Sequence, residues 1–205
     1  MDNKEHIEAV ISKTFSVIKK VYELQKENQG KPKEASDSRI IFPQKRKNKE
    51  TRVSEQELRF IFVEQLNKYL QSKEGKEWNV YYSVETPTEK EYGFSNPDKK
   101  ESGNIDLVIH DSELKRIALI EFKANNPRQQ SYQKDYEKLT NEPNGLFRYF
   151  LQIVENTKSN TAPNIERKIV EVKDAIVNRW GDKKVHFICH SLASEKPIID
   201  KEIGK

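Results

Sequence analysis

The hydrophobic pattern of this 205-residue chain predicts an α/β domain built on a mixed central sheet. Three observations point there. A helix-capping signature at Ser54 opens a run with helical spacing. Two strongly apolar segments joined by a short polar turn come next, and a last strand-like segment closes the order helix, three strands, helices, strand.

Ahead of that core, residues 1–25 form an extra N-terminal helix. Ile7, Val10, Ile11, Ile18, Val21 and Tyr22 recur at helical spacing and make an amphipathic stripe that needs a partner, either this chain or a second copy in a homodimer. Residues 26–53 lose the periodicity, gain Gly30, Pro32 and Pro43, and read as a basic linker in which only Arg39-Ile40-Ile41-Phe42 can pack. The domain proper spans 54–205. Ser54 with Glu57 is a capping box, Leu58, Ile61, Phe62, Leu66, Tyr69 and Leu70 continue an apolar face, and Gly75 ends the helix. From Trp78 the residues turn β-like (Val80, Tyr81, Tyr82, Val84) until Pro87. Ile105-Asp106-Leu107-Val108-Ile109 and Ile117-Ala118-Leu119-Ile120-Glu121-Phe122-Lys123, joined through Asp111–Lys115, predict an antiparallel hairpin. A helix follows Pro127 through Leu139, Leu146 to Val154 and Ile165 to Trp180 read as further helices, and Lys184 to Cys189 as the last buried strand.

Composition narrows the function. Apolar residues make up 34% of the chain, which suits one core, and no apolar run reaches the ~18 residues of a membrane span. The single cysteine, Cys189, excludes an internal disulfide or thiolate cluster, and the polar amino terminus has no apolar leader; both fit a cytoplasmic protein. The formal charge is +4, yet residues 45–52 alone hold five basic side chains and one acid, so the other 32 cations and 32 anions balance. The basic excess therefore resides in one arm, Lys45, Arg46, Lys47, Lys49 and Arg52, suited to gripping phosphates without reading sequence. No Gly-rich phosphate loop, nucleophile elbow or zincin helix occurs. His186 and His190 fall four residues apart on one strand, too far for a shared metal, and read as structural.

An acid two positions before a lysine occurs eight times, so the triplet alone carries no information. Glu121-Phe122-Lys123 differs in its setting. It ends a strand apolar on both faces, hence buried and central. Period-two geometry puts Glu121 and Lys123 on one face, where charge is costly unless paired or metal-bound. The hairpin can return Asp106 to the same end. Two convergent carboxylates beside an ammonium suit Mg2+ or Mn2+ and the hydrolysis of a phosphodiester.

Gly103-Asn104-Ile105-Asp106-Leu107-Val108-Ile109, the turn, and Ile120-Glu121-Phe122-Lys123-Ala124 resemble the PD-(D/E)XK nuclease superfamily. The resemblance covers roughly residues 54–140, with the strand near 185–190 completing the fold. It implies a restriction-endonuclease-like core, with Asp106, Glu121 and the Phe122 backbone carbonyl as metal ligands and Lys123 as the catalytic lysine. The literal Pro97-Asp98 pair lies in a polar loop, so Asp106, on the strand, takes the acidic role. Many members add a helix glutamate. A helical projection places Glu55 among Leu58, Phe62 and Leu66, whereas Glu57 points away at the cap, so Glu55 is the metal-proximal candidate.

On the helix after Pro127, Arg128 and Gln130 lie where substrate contacts are common in that superfamily, Tyr132, Tyr136 and Leu139 form a core face, and Gln130, Lys134 and Lys138 form a wet stripe. The expectation is a divalent-metal-dependent nuclease acting on DNA. The alternative is an inactive nucleic-acid-binding or scaffolding module on the same fold.

Overall fold

The computed structural model describes residues 1–28, 37–45, 51–93, 102–155, 161–180, 183–194 and 197–204, with side chains of the helix at 161–180 described to residue 175. The elements are α1 (Asn3–Glu27), α2 (Glu55–Gln71), the single turn α3 (Lys73–Lys76), β1 (Tyr81–Pro87), β2 (Asn104–His110) and β3 (Arg116–Ala124), then α4 (Gln129–Asn141), β4 (Phe147–Val154), α5 (Thr161–Trp180), β5 (Val185–Ser191) and β6 (Pro197–Ile203). They build an α/β fold around one six-stranded mixed open sheet in sequential order, β1-β2-β3-β4-β5-β6. The pairs β1–β2, β2–β3 and β5–β6 are antiparallel, whereas β3–β4 and β4–β5 are parallel.

Strand alternation divides the core in two. On one face Ala118, Ile120 and Phe122 of β3 and Tyr149, Leu151 and Ile153 of β4 pack under α1 and α2. On the other, Leu119, Phe150, Phe187 and Cys189 meet Tyr132, Tyr136 and Leu139 of α4 and Ile165, Ile169 and Val172 of α5. The result is a three-layer sandwich with two helices on each face. Among the described residues, no helix is long and apolar enough to cross a membrane.

Three expectations need correction. Leu146–Val154 does not form a helix: Phe147–Val154 is β4, flanked by β3 and β5. A short run that is nearly all apolar satisfies both periods, and burial on both faces decides for the strand. Consequently β4, and not the strand near 185–190, is the one that follows α4 and pairs with β3. The strand beginning at Lys184 is not the last either, because β6 pairs antiparallel to it. In β6, Pro197 and three charged side chains mask the period, and only Ile199 and Ile203 are buried.

The N-terminal segment belongs to the same core. Asp2 and Glu5 form a reciprocal capping box, Glu5 N donating to Asp2 Oδ1 and Asp2 N to Glu5 Oε2, each at 2.8 Å. Ile7, Val10, Ile11, Ile18, Val21 and Tyr22 are all buried, so the stripe that could have met a second copy is covered by this chain's own sheet and α2. Part of 26–53 also docks: Phe42 is fully buried, exchanging hydrogen bonds with the Gln25 amide at 2.6 and 2.8 Å. The chain turns sharply after α2, where a Cβ on Gly75 would lie 1.9 Å from the Tyr69 carbonyl oxygen, so only glycine fits.

Candidate active site

Asp111 organises the β2–β3 turn. Asp111 Oδ1 accepts from the backbone N–H of Glu113 and of Lys115, both at 2.9 Å, and Leu114 takes the left-handed conformation at φ 61°. From this turn the strands pair as far as Leu107–Ile120. Beyond that point the ladder stops, and the Phe122 N–H that would have continued it donates instead to Asp106 Oδ2 at 2.8 Å. A strand residue turns its N–H and C=O toward the same neighbour, so the Phe122 carbonyl also faces this notch. On β1 the register passes over Glu85, which lies opposite Asp106 and takes φ 47° within the strand.

Glu121 and Lys123 follow on the α4 side of the sheet. Glu121 is fully buried. Lys138 Nζ lies 2.6 Å from its Oε1, 3.0 Å from Asp135 Oδ1 and 2.9 Å from the Asn104 carbonyl. Lys123 Nζ lies 2.7 Å from Asp135 Oδ2 and 3.6 Å from Glu55 Oε2. Arg59, on α2, pairs with Glu85 and approaches Asp106 Oδ1 to 3.9 Å. Five carboxyl groups (Glu55, Glu85, Asp106, Glu121, Asp135) thus interleave with three cations (Arg59, Lys123, Lys138).

Burial dominates the titration of this cluster. It raises the Glu121 pKa well above the ordinary carboxylate range, helped by Asp135 and Asp106 and opposed by Lys138. Asp106 is also raised by burial, against the Phe122 N–H and the nearby cations. For Lys123 burial works the other way, but Asp135, Glu55 and Glu121 outweigh it and hold the ammonium above the usual lysine range. Lys138 is raised likewise, Glu121 and Asp135 overcoming the burial penalty.

Of the residues singled out from sequence, Asp106, Glu121, Lys123, Glu55 and the Phe122 backbone converge here. Glu57 serves the cap, its Oε2 accepting from Ser54 N at 2.8 Å and Ser54 Oγ at 2.5 Å, but it does not point away from the core: Glu57 is buried, whereas the Glu55 side chain is 41% exposed. Lys45 and Arg52 are exposed, while Arg46, Lys47 and Lys49 lie outside the described residues. Arg128 is the exposed N-cap of α4, and Gln130 is exposed in its first turn. His186 and His190 are not joined to this cluster: His186 Nε2 meets Asp200 Oδ1 at 2.6 Å, and His190 stacks on Phe15 with ring centroids 4.0 Å apart.

Asp135, Lys138 and Arg59 were not anticipated. The wet stripe on α4 holds at Gln130 and Lys134 but fails at Lys138, which is buried because everything from Asp135 to Asn141 lies over the sheet. The available signal was Asp135-x-x-Lys138, an i,i+3 ion pair on the helix that follows Lys123.

The loop after β3 fixes the geometry. Asn125 adopts φ 61°, its N–H donates to the Ile153 carbonyl at 2.7 Å, and its side-chain amide donates to the Val53 carbonyl at 3.0 Å. That last bond ties the end of β3 to the residue before the α2 cap, and so sets Glu55 against Lys123. Gln152, buried on β4, donates to the Asn125 carbonyl and to Tyr132 Oη.

The donor set suits a hard divalent cation. Glu121 Oε2 is buried without a hydrogen-bond partner, and Asp106 Oδ1 faces Arg59 beyond hydrogen-bond length. As the side chains lie, no three acid, histidine or cysteine groups among the described residues converge closely enough to hold an ion, and Lys138 stands between Glu121 and Asp135. No family model matches the chain, and no curated protein or solved structure matches it.

Proposed function

We propose that this chain is a divalent-metal-dependent nuclease of the PD-(D/E)XK type, acting on DNA. One observation carries the reading: the β2–β3 ladder ends at Leu107–Ile120, and Asp106 takes the freed Phe122 N–H, which gathers Asp106, Glu121, the Phe122 carbonyl and Lys123 around one notch. The order α2, β1, β2, β3, α4, β4 supports the restriction-endonuclease-like core implied by the sequence resemblance.

Asp106, Glu121 and the Phe122 carbonyl would hold Mg2+ or Mn2+, with Glu55 beside them. The ion would polarise the phosphodiester and lower the pKa of a bound water. Lys123 does a different job. It would serve as a positive charge that orients the attacking water and stabilises charge developing on the phosphoryl oxygens. Asp135 and Glu55 hold that ammonium in place. Arg128, Gln130, Lys45 and Arg52, together with Arg46, Lys47 and Lys49, would supply sequence-independent phosphate contacts.

The test is incubation of plasmid, single-stranded DNA and RNA with Mg2+ or Mn2+, alongside Asp106→Asn and Lys123→Ala variants. Cleavage should fall at least ~100-fold in each variant. Unchanged cleavage in the double variant would overturn the assignment. One observation favours the second reading, an inactive nucleic-acid-binding module: Glu121 already has its counter-charge within the chain, in Lys138. That reading expects salt-sensitive binding and no turnover with either ion.

A further inference from the structure

The oxygen cage around Lys138 is built as a cation site is built. Its Nζ has oxygens at 2.6 Å (Glu121 Oε1), 2.9 Å (Asn104 carbonyl) and 3.0 Å (Asp135 Oδ1), two of them from carboxyl groups. An ammonium has three hydrogens to donate, and three oxygens surround it. The side chain is only 7% exposed, and Glu121 and Asp135 are 1% and 6% exposed, so water screens little of the attraction. Removing Lys138 would strand Glu121 away from solvent and leave Asp135 to Lys123 alone, which is costly unless another cation replaces it. Both Glu121 oxygens are buried without a hydrogen bond of good geometry, Oε1 holding only the ion contact with Lys138, so this acid keeps donor capacity beyond what the ammonium uses. The resident ammonium and an incoming divalent ion would therefore draw on the same carboxylate.

We propose that Lys138 is a built-in competitor for the divalent cation: its ammonium occupies the acidic end of the notch, and metal loading requires that it leave Glu121. This inference rests on the metal-site reading above and adds to it how the site is regulated. An ion that binds only when the lysine is displaced has its affinity reduced by the fraction of time the cage is open. Neutralising Lys138 removes that competition. The same substitution weakens the metal-free fold, so bound metal should restore more stability to the variant than to the wild-type chain.

The experiment is calorimetric titration of the full chain with MnCl2, comparing wild type with Lys138→Met, beside thermal melts with and without the ion. The Mn2+ Kd is expected to fall at least ~10-fold in Lys138→Met, the Mn2+-induced rise in Tm to be larger than in wild type, and Glu121→Gln to abolish binding. Should Lys138→Met fail to fold without metal, Lys138→Met with Asp135→Asn, compared with Asp135→Asn alone, makes the same comparison with the charge rebalanced. An unchanged or higher Kd in the folded variant overturns the proposal while leaving the metal site standing. Absence of Mn2+ binding in every protein at millimolar ion overturns both. Tighter binding without DNA cleavage supports the competitor role and refutes only turnover.

Discussion

Lys123 and Asp135 offer a quantitative test of the cluster. Their charged atoms are 2.7 Å apart, with side chains 16% and 6% exposed. At an effective dielectric of ~20 the attraction between unit charges at that distance is about 6 kcal/mol. Desolvating two ions takes back several kcal/mol, so the net coupling should be about 1–3 kcal/mol. Neither single substitution measures it. Lys123→Met leaves Asp135 paired with Lys138 at 3.0 Å, whereas Asp135→Asn weakens both lysine contacts together. A double-mutant cycle with Lys123→Met and Asp135→Asn, read from urea unfolding of each protein, isolates the term. Lys123→Met alone should cost about 1–3 kcal/mol, below the full penalty for breaking a buried pair because Lys138 still serves Asp135. Additivity within about 0.5 kcal/mol would refute the reasoning, since it would mean Lys123 and Asp135 do not interact in solution.

Ile18→Ala should destabilise the chain by about 2–5 kcal/mol in urea melts, because Ile18 is fully buried in the core that α1 shares with β3 and β4; a loss under ~0.5 kcal/mol would make α1 a detachable arm. Asn125→Ala loses the 3.0 Å bond to Val53 and places alanine at φ 61°, which should cost about 2–3 kcal/mol in the same assay. Asn125→Gly keeps that backbone conformation and should cost less, and an equal loss would deny the strain contribution. Partial burial, helped by nearby Lys19 and opposed by Asp200, pushes the half-buried His190 down to about 4 from 6.5. Its unfolded state therefore binds the extra proton first, so stability is complete above pH 6.5 and declines as pH falls toward 4. Allowing for the ring's partial exposure, the loss between pH 7 and pH 5 should be about 1–2 kcal/mol. His190→Gln should flatten that limb in melts at the two pH values.

The parts of the structure that the sequence foretold are those where one physical rule acts alone. Ser54 and Glu57 announce the α2 cap because only a reciprocal side-chain bond needs that spacing. Asp106 and Glu121 stand out because a lone acid in an apolar strand is costly without a partner. β4 was missed because Phe147–Val154 is apolar at almost every position, and helix and strand then make the same pattern. Lys138 was missed for a related reason: local periodicity assigns it to the solvent side of α4, and only the placement of α4 over the end of β3 buries it. Asn125 gives no sequence signal of its role, since its partner Val53 lies 72 residues away.

The hairpin that carries Asp106 also has a bearing on the order of folding. Asp106 reaches the Phe122 N–H across 16 residues, through a turn that Asp111 organises from within. Hairpins of this kind form in roughly 1–10 μs, before contacts that must close long loops. The meeting of Glu55 with Lys123, by contrast, waits for two segments separated by the whole of α2, β1 and β2. The notch is therefore expected to take shape in two stages, its acids first and its helix glutamate last. In kinetic terms, substitutions at Asp106 should slow refolding, and those at Glu55 should mainly quicken unfolding.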